Sequence, residues 1–156
     1  MDKVDYKKQF KDLYLPKKQP ALITVPPLRF AMLNGQGDPN GETFAEVVAA
    51  LYSFSYAVKM SYKSKVIPDG YYDYTVFPLE GVWDLVDKTK TSADKSNYAY
   101  TMMIRQPDFV TDELAERILT GQVVDLLHTL LRLELPYHLS RSVVIQRLIE
   151  IDCNLR

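Results

Sequence analysis

Residues 28–62 decide the fold. They read Leu28-Arg29-Phe30-Ala31-Met32-Leu33, then Asn34-Gly35-Gln36-Gly37-Asp38-Pro39-Asn40-Gly41, then a long segment ending at Tyr62. The first piece is a strand in which Arg29 breaks one face. In the last piece the apolar residues fall at Phe44, Val47, Val48, Leu51, Phe54, Val58 and Tyr62. Those steps of three and four draw one stripe along a helix of about six turns. The glycines between allow a tight strand-to-helix turn. Asp38 followed by Pro39, or the later Asn40, supplies the helix cap. A strand, a Gly-rich loop and a helix raise the question of a phosphate cradle, and the spacing speaks against it. The dinucleotide fingerprint leaves two residues in its last gap, whereas Gly37 and Gly41 enclose three. Asp38 would repel a phosphate at a helix N-terminus, and Pro39 removes an amide that should hold it. The turn is read as structural.

Working outward, residues 1–18 form a lysine-rich arm, with Phe10, Leu13 and Tyr14 able to dock a short helix. No helix-turn-helix or zinc-ligand pattern accompanies the basic residues, so the arm is read as a solvated extension, not a nucleic-acid tail. Ala21–Val25 is a short extended piece, stopped by Pro26 and Pro27. After the turn Pro68-Asp69-Gly70, the β-branched and aromatic run Tyr71–Phe77 predicts a strand. Pro78 and Gly81 interrupt it before Val82-Trp83-Asp84-Leu85. Asp87–Asn97 is a polar loop, and Tyr98–Ile104 a further strand with Tyr98, Tyr100, Met102 and Ile104 on one side. The expected class is α+β: a single βαββ module, one long helix across an antiparallel sheet, followed by a helical C-terminal tail. Its parts are the arm 1–18, the module 19–110 and the tail 111–156. In the tail, Thr111 caps a helix that Gly121 ends or interrupts.

The chain has 156 residues, enough for one domain with a real core. A net charge of −1 gives no global pull toward nucleic acid or an anionic membrane. No stretch has the apolar length of a membrane span or signal peptide, so a cytoplasmic protein is expected. Cys153 is the single cysteine, which rules out an intramolecular disulfide. His128, His138 and Cys153 lack metal-ligand spacing, and no nucleophile elbow appears, so neither metal nor cofactor is expected. The compositional oddity is 11 tyrosines.

Four ordered segments resemble the GyrI-like small-molecule-binding family: Gly35–Pro39, the helix with Ala50–Ser53 and Lys59-Met60, Pro78-Leu79-Glu80-Gly81-Val82-Trp83, and Met103–Val110. The resemblance covers roughly residues 5–117. It implies a pair of βαββ modules related by a pseudo-twofold, with a ligand cleft between them. Relatives serve as effector domains of multidrug-responsive regulators, and stand-alone members have been linked to hydrolysis of cyclopropane-bearing genotoxins. After Arg117 the sequence departs from the pattern and shows no second module. This reads as a truncated or frame-shifted product, against a tail evolved as such. A homodimer is one way to complete the cleft.

The resemblance assigns Trp83 to the pocket lining, and an indole suits a partly polar edge. Glu80 in the same motif is either a carboxylate for a cationic or polarised ligand, tuned by nearby aromatics, or a group facing water. Tyr52 and Tyr56 share a helix face, and Tyr100 with Met102 a strand face. Together they would wall a flat pocket for hydrophobic or cationic small molecules, or pack as plain core. The first function expected is binding of bulky planar or amphipathic compounds. The alternatives are a hydrolase adding water to a strained ring, and a remnant without a complete cleft.

Overall fold

The computed structural model describes residues 3–15, 17–130 and 149–150. Its centre is an antiparallel sheet of strands β1 (Arg29–Gln36), β2 (Leu79–Leu85), β3 (Tyr98–Arg105) and β4 (Ile149–Glu150), in the spatial order β2-β3-β1-β4. Helix α3 (Glu42–Met60) connects β1 to the rest and crosses one sheet face. Two four-residue helical turns, α1 (Tyr6–Gln9) and α2 (Lys11–Tyr14), precede the sheet, and α4 (Asp112–Leu130) follows β3. The βαββ order and the α+β class are as the sequence predicts.

The helix buries the expected stripe. Leu51, Phe54 and Val58 are buried and pack with Tyr100, Met102 and Ile104. Each such side chain contributes roughly 1.5–3 kcal/mol of burial. The helix runs 19 residues, about five turns, because Tyr62 falls in a separate 3₁₀ turn (Ser61–Lys63) and is half-exposed. Neither Asp38 nor Asn40 is the cap. Gly41 holds that place without a side-chain hydrogen bond, since Asp38 spends its carboxylate inside the turn, accepting from Asn40 N at 2.8 Å. Gly37 adopts φ +111°, a conformation that disfavours other residues.

Two further expectations are corrected. First, Tyr71–Phe77 forms no strand; Tyr74 makes only an isolated parallel bridge with Val4. Side chains fix this run instead. Tyr71 Oη donates to the Lys59 carbonyl at 2.7 Å, Lys59 Nζ reaches Asp73 and the Tyr74 carbonyl, and Tyr74 and Phe77 are buried. The ladder begins after Pro78, which has no N–H to donate. Second, the arm is not free in solvent. Val4 N donates to the Asp73 carbonyl at 2.8 Å, and Tyr6, Phe10 and Tyr14 pack their rings against Phe77. The tail opens with the expected helix, α4, and its residues Ile149–Glu150 pair antiparallel with Arg29 and Phe30. Ala21–Val25 joins no ladder of the sheet, and the remaining tail expectations, with those for His138 and Cys153, lie outside the described residues.

Thr111 Oγ1 accepts from Leu114 N at 3.2 Å, so the predicted cap of α4 is in place, and the helix continues through Gly121. Arg29 ties that helix to β1, donating from Nη1 to the Val110 carbonyl at 3.1 Å and to Asp112 at 3.0 Å.

Candidate functional site

Strand alternation sorts the predicted residues onto two sheet faces. Trp83 lies opposite Tyr100 across the β2–β3 ladder, and Gly35 lies opposite Tyr100 across β1–β3. All three are on the face that α3 covers. There the Trp83 indole stacks on Phe44, from the first turn of α3, with centroids 5.7 Å apart and planes 29° apart. Tyr100 meets Phe44 edge-on at 5.0 Å and Trp83 at 5.5 Å, and Tyr98 closes the far side at 5.9 Å from Trp83. Met102 sits one pair along, its thioether over Gly81. The result is an aromatic wall at the sheet's β2 edge.

Trp83 is 45% exposed, whereas Tyr100 behind it is 3% exposed. The Tyr100 hydroxyl is buried without a hydrogen-bond partner, and burial pushes its phenol upward. A half-open indole backed by an unmet hydroxyl can stack a planar group, attract a cation through the ring face and make one hydrogen bond.

Tyr52 and Tyr56 are not part of this wall. At about 100° per residue they stand roughly 80° and 120° around α3 from Phe44. They pair with each other at 6.4 Å; Tyr52 borders the core and Tyr56 is half-exposed. Glu80 is also elsewhere. Three residues before Trp83 on a strand, it faces the other side of the sheet, opposite Met103 and diagonal to Arg105. Burial is the main cause holding its carboxyl above the ordinary value; Tyr14 and Arg105 pull the other way. The motif therefore puts its carboxylate and its indole on opposite faces.

Two participants were not anticipated. Phe44 was readable only as one member of the helical stripe, with nothing to mark it as the partner of Trp83. Arg105 lies within the Met103–Val110 motif and has no role in the sequence reading, although an arginine closing an apolar strand signals a polar feature on one face. Among the described residues no group of three or more His, Cys, Asp or Glu could hold a metal ion. No described helix is long and apolar enough to cross a membrane.

No family model and no curated protein matches the chain. Solved structures do. The chain is similar to an uncharacterized conserved protein from Listeria innocua, 40% identical with a TM-score of 0.71, over 79% of this chain and 60% of that one. It is similar to a hydrolase from the same organism, 38% identical with a TM-score of 0.70, over 80% and 60% of the two chains. A further hydrolase structure from Listeria innocua is 39% identical with a TM-score of 0.68, over 79% and 58%. The chain thus spans about three fifths of the length of the structures it matches.

Proposed function

We propose that this chain is a GyrI-like small-molecule-binding module that holds planar, hydrophobic or cationic compounds against the Trp83 wall. The observation that carries the reading is the indole itself: nearly half exposed, stacked on Phe44, and backed by the buried, unpaired Tyr100 hydroxyl. A ring presented in this way gives a ligand an apolar plane and one polar handle. Met102 lines the inner end of the wall, and the Tyr52–Tyr56 pair offers a second, separate aromatic strip. A twofold homodimer would set two such walls together, and this is the partner proposed alongside the ligand.

Titration of Trp83 fluorescence with a planar cationic dye tests the reading. A saturable change is expected, with affinity falling about tenfold in Phe44→Ala, equivalent to ~1.4 kcal/mol of lost stacking. A flat response to cationic and uncharged planar dyes alike overturns it.

The two hydrolase structures among the similar proteins favour a second reading, hydrolysis, for which the resemblance to the GyrI-like family supplies a strained cyclopropane ring as the substrate. A ring C–C bond breaks, water's oxygen bonds to one carbon and its hydrogen to the other. Mass spectrometry of a cyclopropane-bearing substrate would show the added water. Turnover that survives Glu80→Gln unchanged removes that carboxyl from the mechanism.

A further inference from the structure

The sheet face away from α3 presents a second polar constellation. Arg105, the last residue of β3, is 4% exposed. Its guanidinium carbon lies 4.2 Å from the Phe10 ring centroid and 4.7 Å from that of Phe77. Its Nε and Nη1 are buried and have no acceptor, and Glu80 Oε1, on the same face, is buried and has no donor. Tyr14 stands close enough to both groups for each to influence its phenol. We infer that this face holds a site for a small monocarboxylate at Arg105, with the N-terminal arm, Val4–Leu15, as its removable cover.

The unmet groups are the first reason. Each buried donor or acceptor without a partner costs ~1–3 kcal/mol, more when it is charged. Three of them lie on this one face, where native interiors leave only a few per hundred residues. An incoming oxyanion answers the two guanidinium donors.

Chemistry selects the ligand class. Rings beside the guanidinium leave its in-plane N–H groups as the reachable part, which suits a planar carboxylate. A dianion such as phosphate is disfavoured, because one cation would have to balance two charges beside an acid and two phenyl rings. An apolar stem on the carboxylate would lie against Phe77, the ring that stays with the body when the arm opens.

Opening is the second requirement, and the arm is built to permit it. Neither α1 nor α2 contains a buried residue. Among the described residues its backbone tie to the body is the Val4–Tyr74 bridge, and the rest is side-chain contact around Phe77 and Arg105. Because this site and the Trp83 wall occupy opposite faces, either can be absent while the other stands.

The test is nitrogen-edited NMR of the arginine side chains during addition of sodium benzoate. The Arg105 Nε–H signal is expected to move saturably while that of Arg29 stays in place, and the amides of Lys8 to Phe10 to exchange faster in the bound form. Phe10→Ala, which loosens the cover and whose folding Trp83 emission checks, should bind benzoate severalfold more tightly, since less closure opposes entry. An Arg105 signal unmoved in both proteins overturns the site. An equal response to inorganic phosphate overturns the carboxylate assignment. Unchanged arm exchange on binding overturns the covering role.

Discussion

The ring of Tyr100 occupies the space where a side chain at Gly35 would begin: a Cβ there would stand 2.6 Å from both Cζ and the hydroxyl oxygen. The two residues are directly paired across β1 and β3, so neither backbone can move aside without breaking the ladder. The ring itself is held by Phe44 and Trp83. Gly35→Ala should therefore destabilise the protein by ~1–3 kcal/mol, as overpacking of a rigid site does. A drop in the urea midpoint measures it. Adding Tyr100→Ala should abolish most of the extra cost of Gly35→Ala; a simple sum of the two effects would show that the ring is not what the methyl meets.

Gly81 is the contrasting case. A Cβ there would lie 2.8 Å from the Met102 sulfur and 3.3 Å from Trp83 Nε1. The obstacle is the end of an unbranched thioether, which can swing away. Gly81→Ala is expected to cost under ~1.5 kcal/mol while shifting the Trp83 emission maximum, because the displaced Met102 changes the indole's surroundings. An unaltered emission spectrum in a folded variant would disprove the contact.

This difference also marks where sequence reading stops. The helix over 42–60 was legible because its apolar residues repeat at helical steps and nothing competes with that signal. The strand Tyr98–Arg105 was legible from alternation alone. The run Tyr71–Phe77 has the same β-rich composition and is no strand, because its tyrosines and Phe77 are consumed by α3 and the arm before any partner strand is reached. Composition reports what a residue can bury, not which partner it finds. For the site, the pairing of Trp83 with Tyr100 follows once the register is known, but register is not written in either strand. Separation of Glu80 from Trp83 follows from the period of two only once β2 is seen to run unbroken through Gly81. The distance of Tyr56 from the wall was not readable, since it depends on which stripe of α3 meets the sheet.

Ser55 and Gln106 make a buried pair that stability measurements can isolate. Gln106 Nε2 donates to Ser55 Oγ at 3.0 Å and to the Ile104 carbonyl at 2.9 Å, joining α3 to the end of β3. Ser55→Ala leaves one amide hydrogen without its acceptor and should cost ~1–2 kcal/mol. Tyr74→Phe should cost less, because the Tyr74 hydroxyl reaches the Ser55 carbonyl only at 3.4 Å, a long and weak bond. A larger loss for Tyr74→Phe than for Ser55→Ala in urea unfolding would reverse this ranking.

Glu80 gives the pH dependence a sign. Burial holds its carboxyl above the ordinary value of 4.5 in the folded protein, so the folded state binds that proton more tightly than the unfolded state does. Stability from this group is greatest below the ordinary value and declines as pH rises through the raised one. Glu80→Gln carries no such titration. The stability of the variant relative to wild type should therefore increase across that window and level off above it. Asp73, Asp84, Asp87, Asp94 and Glu113 act in the opposite sense, each held below its ordinary value by hydrogen bonds, with a lysine helping at Asp73, Asp84 and Asp94 and Arg29 at Glu113. Their contribution is lost on acidification, but both proteins contain them, so they cancel in the difference. Urea unfolding of the two proteins from pH about 4 to about 8 gives that difference directly. A difference that falls with rising pH would mean that Arg105 and Tyr14 stabilise the ionised carboxylate more than burial opposes it, and that the second sheet face carries a formed ion pair.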